Sequence, residues 1–291
     1  MLTEPFIGTL VERILEDTTF TGVREDHIRS IGLTGSHARG TATPFSDVDL
    51  HIYITHSAAA SITYQLQRDG DYLLSLSFMT IESRYDELTT PQAAIYVVPG
   101  LRQTHIIYDT PGADGQPALE TLVQAAHRFH WEPLQPAANA YASQQLWGFA
   151  EEVHKVLGGF LRHDESTILY GTYGLVLGLS NVLAVQRGLL IESENTAFPQ
   201  IMTALGWDSP WSQHFRAAAG YQPLTIQQRG RAGLRLYRET VSQLQAIIEP
   251  RHQAVIHGAL NIIDPFTAAD HDPLSFDLAS PIDEGRLTNH D

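Results

Sequence analysis

The chain has 291 residues, 43% hydrophobic and 18% charged, which gives it room for two domains and a large buried core. Its 18 basic residues face 33 acidic ones, a net charge of −15, which argues against a nucleic-acid binder that must neutralise phosphates with Lys and Arg. The absence of cysteine excludes disulfides, thiolate zinc sites and a cysteine nucleophile. No apolar run reads as a membrane span and MLTEPFIGTL lacks a signal pattern, so the expectation is a cytoplasmic protein with no membrane partner.

Taken in order, Phe6, Leu10, Val11 and Ile14 recur at helical spacing and predict a helix over 5–17. The stretch Ile31 to Ile54, IGLTGSHARGTATPFSDVDLHIYI, is the most informative in the chain. An apolar run reaches Gly35-Ser36, a polar loop follows, and Asp47 and Asp49 lie in a second apolar run. In a strand, residues two apart share a face, so Asp47 and Asp49 project together while Val48 and Leu50 face away. Two carboxylates side by side repel unless a cation sits between them, and hard oxygen ligands suit Mg²⁺ (or Mn²⁺) carrying substrate phosphates. Gly35 lets backbone approach a phosphate closely, and Ser36 adds N–H and hydroxyl donors. Arg39 is a candidate phosphate contact, and His37 a weaker one. His51, two residues beyond Asp49, shares the carboxylate face.

Residues 57–68, SAAASITYQLQR, predict a second amphipathic helix capped by Ser57, and Asp69-Gly70-Asp71 a turn. Tyr72 to Ile81 reads as a strand. Ile95–Val98 and Thr104–Tyr108 read as short strands separated by a Pro99-Gly100 turn. A breaker-rich stretch at 109–117 precedes a helix over 118–130. From about 136 to 250 the pattern is helical: a long amphipathic helix through Leu146 to Leu161, a central helix over 167–185 whose Gly171, Gly174 and Gly178 permit close packing, and another over 225–248. The tail from Asp264 to Asp291 carries seven acidic residues and a single basic one, Arg286, and reads as disordered or as an irregular extension.

Several other motifs are absent or incomplete. His127/His130 and His252/His257 have helical spacing but no partners to complete a tetrahedral metal site. No Walker A, Gly-x-Gly-x-x-Gly or Gly-x-Ser-x-Gly sequence is present.

An apolar strand, Gly-Ser, a loop of about ten residues and Asp-x-Asp on the next strand resembles the signature of the DNA polymerase β-like nucleotidyltransferase superfamily, here Gly35, Ser36, Asp47 and Asp49. The layout is most similar to antibiotic (aminoglycoside) nucleotidyltransferases. The resemblance implies an α+β protein: a catalytic domain over 1–115 with a mixed sheet and flanking helices, a helical substrate-binding bundle over 116–263, and the acidic tail over 264–291. It implies Asp47 and Asp49 as catalytic metal ligands and Gly35, Ser36 and Arg39 at the nucleotide. It further implies transfer of an NMP, AMP by preference, from an NTP to a small hydroxylated acceptor, with a cationic molecule among the candidates. The family commonly adds a third carboxylate on the strand that is here 72–81, where this chain has Ser75 or Ser77. Glu82 is the nearest carboxylate and the candidate base. Arg187 to Phe198 loosely resembles a segment that opens a helix near the nucleotide, with Glu194 where those enzymes often have Lys. The competing readings are a non-catalytic nucleotide-binding or regulatory member, and a protein-modifying transferase. The sequence leaves the oligomeric state open.

Overall fold

A computed structural model describes residues 2, 4–59, 62–112 and 115–267. The chain divides into two compact units, 1–142 with 182–204, and 143–181 with 205–291.

The first unit opens with α1 (Glu4–Glu16) and the short α2 (Thr18–Thr21), followed by β1 (Ile28–Leu33), α3 (Gly35–Ala38) and β2 (Val48–Ile54). After α4 (His56–Ala59) come β3 (Tyr64–Asp69) and β4 (Tyr72–Met79), then α5 (Ile81–Leu88), α6 (Pro91–Arg102), β5 (His105–Asp109) and α7 (Ala118–His127). The sheet order is β3-β4-β2-β1-β5. β2 and β4 run parallel, and the other neighbours are antiparallel, so the sheet is mixed as the resemblance implies.

Strand alternation gives each face of this sheet its own core. Val48, Leu50, Ile52 and Ile54 of β2 join Leu74, Leu76 and Phe78 of β4, Ile31 and Leu33 of β1, and Leu10 and Ile14 of α1 in one apolar cluster. The opposite face carries Asp49, His51 and Tyr53, and only Tyr53 enters a core there, with Leu88, Val98, Leu101 and Leu122 from α5, α6 and α7. Each face is covered by helices, although only one of the four strand pairings, β2 with β4, is parallel.

Two predicted elements have a different form. The helix expected over 57–68 is confined to α4, and its second half is the edge strand β3. Residues 64–69, YQLQRD, alternate in exposure and close a hairpin on β4 through a two-residue loop in which Gly70 has φ +57°. Gln65 and Gln67 donate to the carbonyls of Thr21 and Phe20 at 3.0 and 2.5 Å, pairings that helical spacing would not provide. The strand expected over 95–98 is the interior of α6. Pro99 has no N–H, so the carbonyl of Ile95 has no helical donor. The N–H of Ile191 takes that carbonyl at 2.7 Å, which satisfies the proline and fixes the segment after residue 187 over α6.

Two long helices follow, α8 (Gln135–Arg162) and α9 (Glu165–Gln186), and the division between the units falls within both. All of α10 (Ala197–Leu205) but its last residue belongs to the first unit. Near the start of α8, Gln135 donates to the carbonyl of Gln186, and Gly188, with φ +61°, lies against the Trp131 ring. Residues 192–194 are no first turn of an α-helix: Glu194–Thr196 is a 3-10 turn leading into α10.

The second unit holds the remainder of α8 and α9, with α11 (Pro210–Ala219), α12 (Ile226–Leu244) and α13 (Pro250–Thr267). The glycines of α9 do what their spacing predicts. A Cβ on Gly171 would stand 3.1 Å from the carbonyl oxygen of Glu152, and one on Gly178 would strike the Phe149 ring. Trp211 is fully buried, stacks on Phe215 and donates to the Thr240 hydroxyl at 2.9 Å. Ser143 accepts from the N–H of Glu249 at 2.8 Å and hydrogen-bonds His252 Nδ1 at 2.9 Å, a buried polar link in α-helical packing. By length and composition α9 is apolar enough to cross a membrane, contrary to the sequence reading; 61% of its most apolar window is buried, as in a core helix. Of the predicted tail, residues 264–267 are the last of α13, and 268–291 lie outside the described residues.

Candidate active site

The polar face of the sheet is built where β1 ends and β2 begins. The N–H of Thr34 donates to the carbonyl of Asp49 at 2.9 Å, so the chain leaving β1 stays paired to β2 as it turns into α3. Gly35 makes that turn with φ +66°, a region open mainly to glycine. A Cβ there would collide with the Asp49 carboxylate, whose Cγ would lie 2.9 Å away. Conformation and space therefore both demand glycine at 35, and the backbone presses directly on the carboxylate.

Asp47 stands one residue before β2 rather than inside it. It is nonetheless close enough to act electrostatically on Asp49. Burial raises the pKa of the half-buried Asp49 carboxyl, and the negative charge of Asp47 raises it further; the Ser75 hydroxyl and the Arg39 guanidinium work the other way. Arg39 follows α3, and its Nη1 donates to Gln103 Oε1 at 3.4 Å. His37, within α3, is held below its ordinary pKa mainly by burial, against an opposing backbone hydrogen bond to Ser46 and the Asp47 charge; its Nε2 is buried without a partner.

Of the residues expected from sequence, Gly35, Asp47, Asp49 and Arg39 are thus brought into one electrostatic neighbourhood, and Ser36 stands beside Gly35 in α3. Glu82 is not brought there. It is exposed in the first turn of α5, behind a capping box in which Thr80 accepts from Ser83 N–H at 3.0 Å. β4 runs parallel to β2 with Asp49 opposite Ser75 and Tyr53 opposite Met79, so Glu82 lies past the far end of the strand, upwards of roughly 13 Å from the aspartates at about 3.3 Å per residue. The position beside Asp49 belongs to Ser75, one of the two serines singled out by the sequence, and Ser77 stands opposite His51.

The donor set fits a hard divalent cation: two near carboxylates, one destabilised in its charged form by burial and by its neighbour, would be relieved by a positive charge between them. No group of three or more His, Cys, Asp or Glu side chains that could hold a metal exists among the described residues.

Further along the same face, a cavity of about 330 Å³ opens among His51 of β2, Arg84 of α5, Tyr96, Val97 and Leu101 of α6, and Glu194. His51 Nδ1 is buried without a partner, and burial, helped by the Arg84 charge, lowers the His51 pKa to about 3, so the ring is neutral at physiological pH. Arg84 is held by Glu87 at 2.6 Å. Arg84 and Tyr96 were not legible as site residues in the sequence, because the segments bearing them reach the sheet only through tertiary packing.

Residues 17–90 match the profile of the nucleotidyltransferase domain family, a segment running from α2 to the end of α5 and containing every sheet residue of the site. No curated protein matches the chain. Among solved structures, a nucleotidyltransferase-like protein from Exiguobacterium sibiricum is similar at 14% identity and TM-score 0.47, over 90% of this chain and 80% of that one. The match over 17–90 spans about a quarter of the chain and supports a general nucleotidyl-transfer function for the unit that carries Asp47 and Asp49.

Proposed function

We propose that the protein transfers a nucleoside monophosphate, AMP by preference, from a nucleoside triphosphate to a hydroxyl of a small molecule. The observation that carries this reading is the contact of Gly35 with the Asp49 carboxylate, beside Asp47, inside the segment that matches the nucleotidyltransferase domain. Asp47 and Asp49 would hold Mg²⁺ or Mn²⁺. When bound, the cation neutralises charge on the triphosphate and on the departing pyrophosphate. The chain's own contributions are distinct. The turn at Gly35 and Ser36 offers N–H and hydroxyl donors to the terminal phosphates, and Arg39 adds a fixed positive charge that also eases ionisation of Asp49. The acceptor oxygen forms a bond to the α-phosphorus, the bond to the pyrophosphate oxygen breaks, and the hydroxyl proton passes to solvent, because β4 offers Ser75 in place of a carboxylate.

That same serine favours a second reading, a nucleotide-binding protein without transferase activity. Calorimetric titration of ATP and GTP, with and without Mg²⁺, separates the two from a chain that binds neither. Metal-dependent binding that is lost in Asp47→Asn and Asp49→Asn supports the site, and pyrophosphate release with an acceptor then distinguishes transfer from binding. Absence of any nucleotide binding by the folded wild type overturns both readings.

A further inference from the structure

The polar face of the sheet ends at an edge that the described residues leave open. β3 is the outermost strand and pairs with β4 without a bulge. The N–H of Phe78 donates to the carbonyl of Thr63 at 2.9 Å, and Asp69 pairs with Tyr72 across the hairpin loop. Antiparallel pairs alternate, so the odd-numbered residues of β3 turn their backbone groups toward β4. Tyr64, Leu66 and Arg68 turn theirs outward, and no described residue takes them. Such an edge is a template for another strand, and sheets usually blunt it with Pro, Lys or a bulge. Arg68 is the sole charge among the outward three. Their side chains lie on the polar face of the sheet. Leu66 is opposite Ser75, which stands beside Asp49, and Tyr64 is opposite Ser77, beside His51. Tyr64 and Leu66 are each 54% exposed, and Leu73, opposite Arg68, 41%. An apolar patch and a row of open backbone groups thus coincide.

We propose that this edge joins a second copy of the chain, β3 to β3, antiparallel about a two-fold axis at Leu66, in one continuous sheet. The edge is complementary to itself in that register. Leu66 meets Leu66 of the second copy, and Tyr64 meets its Arg68, so a ring faces a guanidinium and no like charges oppose. Each of these pairs is of the hydrogen-bonded kind, so every outward N–H and carbonyl of the three residues gains a partner. A slip by two residues would set Arg68 against residue 62, or Tyr64 against Gly70, both outside the strand. The axis stands perpendicular to the sheet, so the two polar faces look the same way. From β2 of one copy to β2 of the other is five strand steps, about 24 Å at ~4.8 Å each. The pairing does not depend on the function proposed above. Its interface is small, so dissociation in the micromolar range is expected.

Sedimentation equilibrium of the full chain, from about 1 to about 100 μM, is expected to show a dimer that dissociates on dilution. Leu66→Pro removes the central N–H at a position where an edge strand tolerates proline, and Leu66→Lys sets like charges across the axis. Each is expected to weaken association by about tenfold or more. Leu66→Val, which keeps the N–H and an apolar side chain, is expected to keep the dimer. Circular dichroism and melting of each variant verify that it is folded. The chain contains no cysteine, so the register can be read by crosslinking. Tyr64→Cys mixed with Arg68→Cys is expected to form an intermolecular disulfide that neither variant forms alone. A wild type that stays monomeric over this range overturns the proposal, as does a dimer that Leu66→Pro and Leu66→Lys both leave intact. Equal crosslinking by either cysteine variant alone overturns the register. Slow amide exchange at Leu66 in the diluted monomer would mean that another part of the same chain covers the edge, and also overturns the pairing.

Discussion

The two faces of one sheet have taken opposite solutions to burial. On the α1 side, Val48, Leu50, Ile52 and Ile54 are each no more than 2% exposed and belong to one apolar cluster. On the other, the alternate residues grade from Asp49 through His51 to Tyr53, from charge to a buried ring in the space of a single strand. The first face supplies rigidity, and the second uses that rigidity to hold groups in states water would not favour. A raised carboxyl and an unsatisfied imidazole nitrogen are tolerable because the strand that bears them is fixed from behind.

The largest expected effect separates the faces by activity. Asp47→Asn or Asp49→Asn should lower nucleotidyl transfer by about three orders of magnitude or more, several kcal/mol of transition-state stabilisation, with an unchanged circular dichroism spectrum. Full activity in either variant would detach the chemistry from this face. On the opposite face, Ile52→Ala should cost about 2–5 kcal/mol in denaturant unfolding, with KM for the nucleotide preserved in the folded fraction.

Gly35→Ala lies where the faces' demands meet. The left-handed conformation alone should cost about 1–2 kcal/mol, and the added methyl must displace Asp49, so nucleotide affinity should fall further than the melting temperature explains. Affinity that tracks stability alone would mean that the carboxylate relaxes without consequence.

A subtler contrast is one of pH. Because the Asp49 pKa is raised in the fold, chiefly by burial, the native state holds its proton more tightly than the unfolded chain does. The ionised group is therefore a penalty on stability, full above the folded pKa and relieved as pH falls toward the ordinary value of 3.8. Asp49→Asn should melt higher than wild type at pH 7.5, and the gain should shrink at pH 4; a gain that grew on acidification would reverse the sign. The smallest effect belongs to the helix that starts beyond β4. Thr80→Ala removes one half of a capping box and should cost about 1 kcal/mol, measured by denaturant titration, with transfer unaffected.

Much of this was legible in the chain itself. The period of two in VDLHIYI fixes which residues face which side, and the spacing from Gly35-Ser36 to Asp47 and Asp49 singles out the candidate site. The glycines of α9 announce a close helix contact, since a residue without a side chain at steps of three and four leaves a groove. These are local properties, set by the geometry of one strand or one helix.

What failed from sequence had partners distant in the chain. YQLQRD became a strand because β4 and the carbonyls of α2 stood ready to pair with it, and YVVPG became helix because Ile191 N–H took the carbonyl that Pro99 had left open. Likewise Ser75 stands beside Asp49, and Arg84, Tyr96 and Glu194 share a cavity with His51, through register and packing that no single stretch encodes. The sequence by itself determined that Asp49, His51 and Tyr53 share one face of β2 and Val48, Leu50 and Ile52 the other, because neighbours along a strand are fixed by covalent geometry. Only the tertiary structure decided what stands beyond them, because hydrogen-bond partners and cavity walls are chosen by whichever distant segment satisfies a buried group.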